Sequence, residues 1–251
     1  VGAVVALSFG KELFGGFGRN VFNPAIVGRG FLYVCFPGEM TAGFAPAYGR
    51  LQGLAHWSPQ RLWEGGVDAV TAVTPMWARR DHGETMELSR LFFGNIGKLI
   101  QGSDGAKHVV SAGSIGEVSS LLLLIGGAYL LWTKTANWRL TASTLVGAAL
   151  AVIAFRHLGG NEAVPPLPWT LCSGALLYAA FFMVTDPVSA PRDQRAQYIY
   201  GAFIGCMIVF LRWRAVFAGG VAFAILLGNT VGPTIEQVSV ALKKRAKGKR
   251  T

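Results

Sequence analysis

Long apolar runs, separated by short connections, constrain this chain more than any other feature. Five of them lie in its second half, at 121–132, 140–155, 167–184, 198–211 and 216–231. A helix needs about 20 apolar residues to cross about 30 Å of hydrocarbon, so each run is near or slightly below spanning length. Only 14% of the residues are charged, against about 25% in soluble domains. The chain is therefore predicted to be an all-α, polytopic membrane helix bundle.

Two proline-containing breaks predict that some of these helices are discontinuous. Asn23-Pro24 has a helix-capping residue followed by proline, and the apolar stretch after it, 25–36, is too short to span a membrane alone. Thr185-Asp186-Pro187 repeats the pattern of a polar residue before proline, between two later apolar runs. Paired breaks of this kind are typical of an inverted repeat, which we consider as one arrangement of the bundle.

Basic residues give the bundle an orientation. The formal charge is +10, but there is no nucleic-acid-binding motif, and basic loops on a cytoplasmic membrane face account for the excess. From residue 121 onward, alternate connections and the tail, 236–251, hold ten of the thirteen lysines and arginines. We therefore expect a multi-pass protein of the bacterial inner membrane with a cytoplasmic tail.

Four segments follow from these patterns, the last of which is the basic tail at 236–251. Residues 1–37 form a helix end, a Gly-rich turn and a short broken helix, and 113–235 form the transmembrane bundle. The polar stretch 38–112 is expected to be extramembrane or re-entrant, towards the outer face, with a helix over 88–100. The chain begins inside an apolar run, so we expect part of the natural protein to precede it. Its three cysteines are far apart and are expected to be small buried hydrophobes, not disulfides or metal ligands within a short local motif. A metal cluster assembled with another subunit is the alternative.

The stretch from Asp68 to Pro75 contains the candidate cofactor site. Proline disfavours the α conformation at the residue before it, so Thr74 is predicted to sit at an extended or turn position with an accessible hydroxyl. From these residues alone, a surface turn with a capping threonine explains the pattern. The alternative is that the hydroxyl carries a covalent cofactor.

Three motifs, in order, resemble one known family. They are Gly-Arg-Asn-Val-Phe-Asn-Pro-Ala at 18–25, Gly-Ser-Ile-Gly-Glu-Val-Ser at 113–119, and Phe-Met-Val-Thr-Asp-Pro-Val-Ser-Ala at 182–190. The chain is similar, from residue 14 to the tail, to the family that contains the B subunit of the sodium-pumping NADH:quinone oxidoreductase and the related D subunit of the Rnf ferredoxin:NAD oxidoreductase.

The resemblance implies two flavins. In the family a threonine carries FMN through a phosphoester bond, and the matching positions here are Asp68, Thr71 and Thr74, with Ala72 and Val73 where smaller residues are usual. The asparagines of the Asn-x-x-Asn-Pro motif contact a non-covalent riboflavin.

Those two asparagines are Asn20 and Asn23 in this chain. Their amides suit the carbonyls and N–H of the flavin ring, and helix capping or turn formation is the structural alternative for both.

Three acids are candidates for a sodium pathway by the same resemblance. Asp186 matches a family acid linked to sodium translocation, Glu236 stands near another, and Glu117 is the third. Sodium favours carboxylates and carbonyls freed at helix breaks. Capping of the following turn is the alternative for Asp186, and a solvated acid before the basic tail is the alternative for Glu236.

The expected function is that of a membrane electron-transfer subunit in a sodium-translocating NADH:quinone oxidoreductase. Electrons are expected to pass from FMN through riboflavin to quinone, with no catalytic residue on this chain. NADH oxidation is assigned to partner subunits because no Gly-rich dinucleotide turn is present. The expected partners are those subunits, quinone, sodium ion and membrane lipid, with no nucleic acid. The alternatives are an Rnf-type D subunit and a flavin-free solute channel of broken helices.

Overall fold

The computed structural model describes residues 1–37, 69–70, 75–76, 79, 85–94, 98–101, 107–111, 119–160, 163–215 and 220–248. The chain divides into two compact units. Unit 1 comprises Val1–Cys35, Gly127–Val164 and Ala179–Thr251, and unit 2 comprises Phe36–Gly126 and Pro165–Tyr178.

Helices make up most of the described elements. In chain order the elements are α1 (Gly2–Gly10), α2 (Pro24–Cys35), β1 (Ala69–Val70), α3 (Leu88–Phe93), β2 (Lys98–Gln101), β3 (Lys107–Ser111), α4 (Ser120–Trp132), α5 (Trp138–Val152), α6 (Leu167–Cys172), α7 (Leu176–Tyr178), α8 (Gln194–Arg214) and α9 (Gly220–Gly248). A 3₁₀ turn at Glu12–Phe14 follows α1, and π-helical turns at Ile153–Leu158 and Ala179–Met183 follow α5 and α7.

Among the described residues, two helices are long and apolar enough to cross a membrane. They are α5 with its π-helical continuation, Trp138–Leu158, and α8, each 21 residues long, while α2 and α4 are shorter apolar helices. Length, composition and the helical content agree with the prediction from sequence. The predicted all-α membrane class is confirmed.

The centre of unit 1 is the contact between α5 and α8, which depends on glycine. A side chain at Gly147, Gly201 or Gly205 would overlap backbone atoms of the facing helix. Ser143 of α5 reaches the same interface, where its hydroxyl lies 3.4 Å from the carbonyl oxygen of Gln197. Small residues let membrane helices approach closely and gain dispersion energy, because lipid leaves little hydrophobic force between them.

A buried polar pair joins α8 to α9. The Tyr200 hydroxyl donates to Asn229 Oδ1 at 2.6 Å, and the two side chains are 1% and 0% exposed. The second amide atom of Asn229, Nδ2, is buried without a partner. Pro233 lies four residues later, inside the helix, and it has no N–H to donate to the Asn229 carbonyl. Helix α9 nevertheless continues to Gly248.

The third apolar run, 167–184, is not one helix. It is divided into α6, α7 and the following π turn, with Gly174 between the first two at a φ of 62°. Helix α6 ends where Ser173 turns to an extended conformation, and the left-handed conformation of the next residue is open to glycine at little cost. An apolar run interrupted in this way agrees with the predicted discontinuous helices, although the predicted breaks lay elsewhere.

Unit 2 contains a small sheet that the sequence analysis did not anticipate. Strand β3 pairs in parallel with β1 and antiparallel with β2. The predicted helix over 88–100 was wrong beyond Phe93, since Gly94 takes a φ of 82° and closes α3 by donating to the Arg90 carbonyl. Trp169 of α6 is held in this unit by its indole N–H, which donates to the Met86 carbonyl at 3.0 Å.

Candidate functional site

A glycine-rich turn after α1 brings the first predicted site residues into place. Gly15, Gly16 and Gly18 have φ values of 96°, 91° and 82°, a region that side-chain-bearing residues rarely adopt. Three left-handed residues within four positions fold the chain back on itself. The turn leads directly into Asn20 and the start of α2.

Asn20 and Asn23 each use one amide atom for local structure. Asn20 is 8% exposed, and its Nδ2 donates to the Phe22 carbonyl at 3.0 Å. Asn23 Oδ1 accepts from the backbone N–H of Ala25 at 3.1 Å, so it caps α2. Within the described residues, Asn20 Oδ1 and Asn23 Nδ2 make no hydrogen bond, which leaves one acceptor and one donor for a ligand.

Asp186 lies in the loop that follows the π turn at Ala179–Met183. Its Oδ2 accepts from the Ser189 hydroxyl at 2.7 Å and lies 3.4 Å from the Ser189 backbone N–H. Its Oδ1 lies 3.4 Å from the Val188 N–H. The capping arrangement considered from the sequence is therefore present, and it fixes the carboxylate in one orientation.

One cavity of about 420 Å³ in unit 1 brings these three residues together. Asn20, Asn23 and Asp186 all line it, although 163 or more positions separate the acid from the asparagines. Its apolar lining includes Phe17, Phe181, Phe182, Leu130 and Pro24. The cavity volume falls within the usual range for small-molecule sites.

The donor set fits a flavin ring. A planar heterocycle needs apolar walls for its faces and complementary hydrogen-bonding groups along one edge. The uncommitted Asn20 Oδ1 can accept from a ring N–H, and Asn23 Nδ2 can donate to a ring carbonyl. These two asparagines could therefore hold the edge of such a ring.

A second polar cluster joins the start of α8 to the distal half of α9. Asp193 caps α8 by accepting from the Arg195 and Ala196 N–H groups, and it also accepts from the Ser239 hydroxyl at 2.6 Å and from the Lys243 ammonium. The Lys243 ammonium and the Ser239 hydroxyl hold the pKa of Asp193 well below its usual range. The sequence analysis did not single out Asp193, whose signal was its position before a helix.

Glu236 belongs to this cluster and not to the lining of the cavity. Its Oε1 accepts from the Arg192 backbone N–H at 3.1 Å. The residue is half-buried, and the alternative considered from the sequence, a solvated acid before the basic tail, stays open. A sodium role for it stays a prediction.

Comparison with known proteins identifies the family. The model of the family described as the NQR2, RnfD, RnfE family matches residues 1–244 of this chain. The chain belongs to this family. The resemblance stated from the three sequence motifs is therefore confirmed.

Relatives from both branches of the NQR2, RnfD, RnfE family are similar to the chain. It is 34% identical over 253 residues to the B subunit of the Na(+)-translocating NADH-quinone reductase of Azotobacter vinelandii, which covers 98% of this chain and 56% of that protein. The corresponding protein of Klebsiella pneumoniae strain 342 is 32% identical over 247 residues, covering 95% of this chain and 54% of that protein.

The other branch is represented by the D subunit of the proton-translocating ferredoxin:NAD(+) oxidoreductase complex of Clostridium ljungdahlii. It is 32% identical over 244 residues, which cover 97% of this chain and 67% of that protein. The chain spans about half the length of the NADH-quinone reductase relatives that it matches. Identity does not separate the two branches.

The structure does not describe the remaining predicted site residues. Asp68, Thr71, Thr74 and Glu117 lie outside the described residues. Within the described part, no three His, Cys, Asp or Glu side chains are grouped closely enough to hold a metal ion. Cys35 is exposed, and Cys172 and Cys206 are only half-buried, so the expectation that the three cysteines are buried was wrong.

Proposed function

We propose that this chain is a membrane electron-transfer subunit of a redox-driven ion pump, with riboflavin in the cavity lined by Asn20 and Asn23. The observation that carries the proposal is the convergence of both asparagines and Asp186 on one apolar-walled cavity. Membership of the NQR2, RnfD, RnfE family supports it. A second flavin, FMN, is proposed as a phosphoester on Thr74.

In this proposal the chain's own residues bind and orient, while the flavins supply one-electron chemistry. Asn20 and Asn23 hold the edge of the ring with their uncommitted amide atoms. The aromatic side chains of Phe181 and Phe182 exclude water from its faces. The capped Asp186 presents a negative charge to the same cavity, where a cation is attracted to it.

Asn23→Asp separates the flavin role of Asn23 from its capping role. Aspartate caps helices as well as asparagine does, so α2 is expected to form normally, but the variant lacks the amide donor to the ring. We expect the purified complex to lose non-covalent flavin while keeping covalent FMN, measured by chromatography of the flavins released on denaturation. Asn137→Asp is the matched control, since Asn137 caps α5 in the same way and does not line the cavity. Full flavin content in Asn23→Asp would refute the proposed contact.

Thr74→Ala tests the covalent site. The hydroxyl is the only atom that can form the phosphoester, so in-gel fluorescence of the denatured chain and an FMN-sized mass adduct are both expected to disappear. Thr71→Ala controls for loss of the neighbouring hydroxyl and is expected to keep the adduct. A wild-type chain with neither kind of flavin would favour the alternative function, a solute channel.

Asp186→Asn tests the ion. Asparagine can still accept from the Ser189 hydroxyl, so the turn is preserved, but the charge is lost. We expect the sodium concentration that gives half-maximal stimulation of turnover to rise at least tenfold. Unchanged sodium dependence would count against a role for Asp186 in ion transport.

We place the complex in the quinone-reducing branch, with the chain in the bacterial inner membrane, its tail in the cytoplasm and Thr74 towards the outer face. Asn20-Val21 and the stretch Arg29-Gly-Phe-Leu favour that branch. The alternative is the ferredoxin:NAD branch, named for the Clostridium ljungdahlii relative. NADH-driven reduction of ubiquinone by purified complex, measured with and without sodium, distinguishes the two.

A further inference from the structure

One of the residues that line the cavity, Lys11, is positively charged. Lys11 follows directly after α1 and lines the cavity together with Asn20 and Asn23. Its ammonium lies 5.6 Å from the centroid of the Phe17 ring, which lines the cavity as well. A cation–π contact at this distance is attractive, by about 0.5–1 kcal/mol at an exposed ring, and Phe17 is 87% exposed. The contact therefore favours a position of the Lys11 side chain at the cavity.

Among the described residues, this charge has no ion-pair partner. Within the part of the chain that the structure describes, the Lys11 ammonium has no carboxylate within 4.0 Å. The acid that lines the same cavity, Asp186, is bonded instead to Ser189 and to the backbone of its own turn. The cavity therefore combines apolar walls, two uncommitted amide atoms and one cation without a direct counter-ion.

We propose that Lys11 is a binding residue for the reduced flavin ring and raises its reduction potential. The inference rests on the proposed riboflavin site. The oxidised ring is neutral, whereas a ring that has gained an electron without a proton carries a negative charge. A nearby ammonium attracts the second state more than the first.

The electron balance of this step is simple. The covalent flavin proposed upstream loses one electron and the ring in the cavity gains it. No bond forms or breaks, and Lys11 keeps its protons throughout. The contribution of Lys11 is a difference between the affinities for the two charge states of the ring, because a residue that bound both equally would leave the potential unchanged.

Lys11→Met in the assembled complex is the test, because methionine retains the length of the side chain and removes its charge. We expect the reduced ring to lose at least tenfold in affinity relative to the oxidised ring. For a one-electron couple, tenfold corresponds to about 59 mV, so a redox titration of the non-covalent flavin should give a midpoint potential lower by about that amount. Lys11→Arg keeps the charge and is expected to restore the potential.

Arg19→Met is the matched control. Arg19 carries the same charge in the same glycine-rich turn, where its side chain lies against Gly15, but it does not line the cavity. We expect its flavin content and potential to equal those of the wild type. An equal shift in Arg19→Met and Lys11→Met would mean that only the general charge of the turn matters, and would overturn the assignment.

Flavin content decides between the remaining outcomes. If Lys11→Met loses its flavin, added riboflavin is rebound under oxidising and reducing conditions, and equal weakening in both overturns the inference. Lys11→Gln replaces the methionine variant if that complex does not assemble. Bound flavin with an unchanged potential overturns the role of Lys11 alone. A wild-type complex without non-covalent flavin overturns the proposed function, and this inference with it.

Discussion

The buried pair of Tyr200 and Asn229 allows a sharp test of how polar groups stabilise this bundle. Tyr200→Phe removes a 2.6 Å hydrogen bond between side chains that are 1% and 0% exposed. Hydrogen bonds between membrane helices contribute about 0.6 kcal/mol on average and up to about 1.7 kcal/mol. The variant also leaves the whole Asn229 amide without a partner, so we expect a loss of about 1–2 kcal/mol in unfolding free energy.

The double variant should behave differently from the sum of the single ones. Asn229→Ala leaves the Tyr200 hydroxyl unpaired, yet it also removes the Asn229 Nδ2 donor that is already buried without a partner. When both changes are made, no unpaired group of this pair remains, and replacing both partners of a hydrogen bond can be nearly neutral. We expect a coupling energy of about 1–2 kcal/mol and a double variant no less stable than Tyr200→Phe.

Reversible unfolding of the purified chain in mixed micelles, followed by circular dichroism, measures these free energies. Thr230→Ala is the control partner, because the Thr230 hydroxyl bonds within its own helix to the Leu226 carbonyl. The cycle of Tyr200→Phe with Thr230→Ala should be additive. Additive losses for Tyr200→Phe and Asn229→Ala would refute the reasoning.

Two further predictions concern packing and charge. Gly205→Ala should destabilise the chain by about 1–3 kcal/mol in the same unfolding assay, because the added carbon would meet backbone atoms of Thr144 and Ala148. Gly30→Ala is the control. Its added carbon meets only the end of the Leu226 side chain, so the loss of stability should be smaller. Asp193→Asn keeps a capping side chain but loses the charge that binds Lys243. The pKa of Asp193 is lowered in the folded state. Its ionic contribution to stability is therefore complete above the unfolded pKa of about 3.9 and is lost as the pH falls further. The stability gap between wild type and Asp193→Asn should therefore be largest at neutral pH and narrow below about pH 4, and a gap independent of pH would contradict the ionic explanation.

Local chemistry made some features predictable from sequence. The start of α2 was expected from Asn23 and Pro24, because capping and a proline at the first turn depend only on adjacent residues. The apolar run 121–132 lies within α4, and 140–155 and 198–211 lie within the helices that can cross a membrane. In each case the hydrophobic pattern and the helix share the same few turns.

Features that depend on distant or competing interactions were harder to predict. Ser173-Gly174 was a local signal for the break between α6 and α7, but the surrounding apolar residues obscured it. Pro233 suggested an end to α9, yet the helix continues, and side chains beyond the proline bond to Arg192 and Asp193. In the small sheet, β1 pairs with β3 across about forty residues of sequence, which no local pattern specifies.

The cavity's position in the fold was also beyond the sequence alone. The resemblance supplied roles for Asn20, Asn23 and Asp186 separately, but only the folding of α1, the glycine-rich turn and the loop after the π turn brings them to one place. The sequence carried a weak signal for Lys11, a single cation between an apolar helix and a run of glycines. Its proximity to Phe17 and to the asparagines is a tertiary property.

The small size of the cavity has an electrostatic consequence. A sphere of 420 Å³ is only roughly 9 Å across, and two unit charges at that separation interact by about 2 kcal/mol at an effective dielectric constant of about 20. In the proposed site, an electron entering this space would therefore raise the affinity for a cation beside Asp186 by more than tenfold, with no moving part between them. Reduction and cation binding would then favour each other by the same free energy.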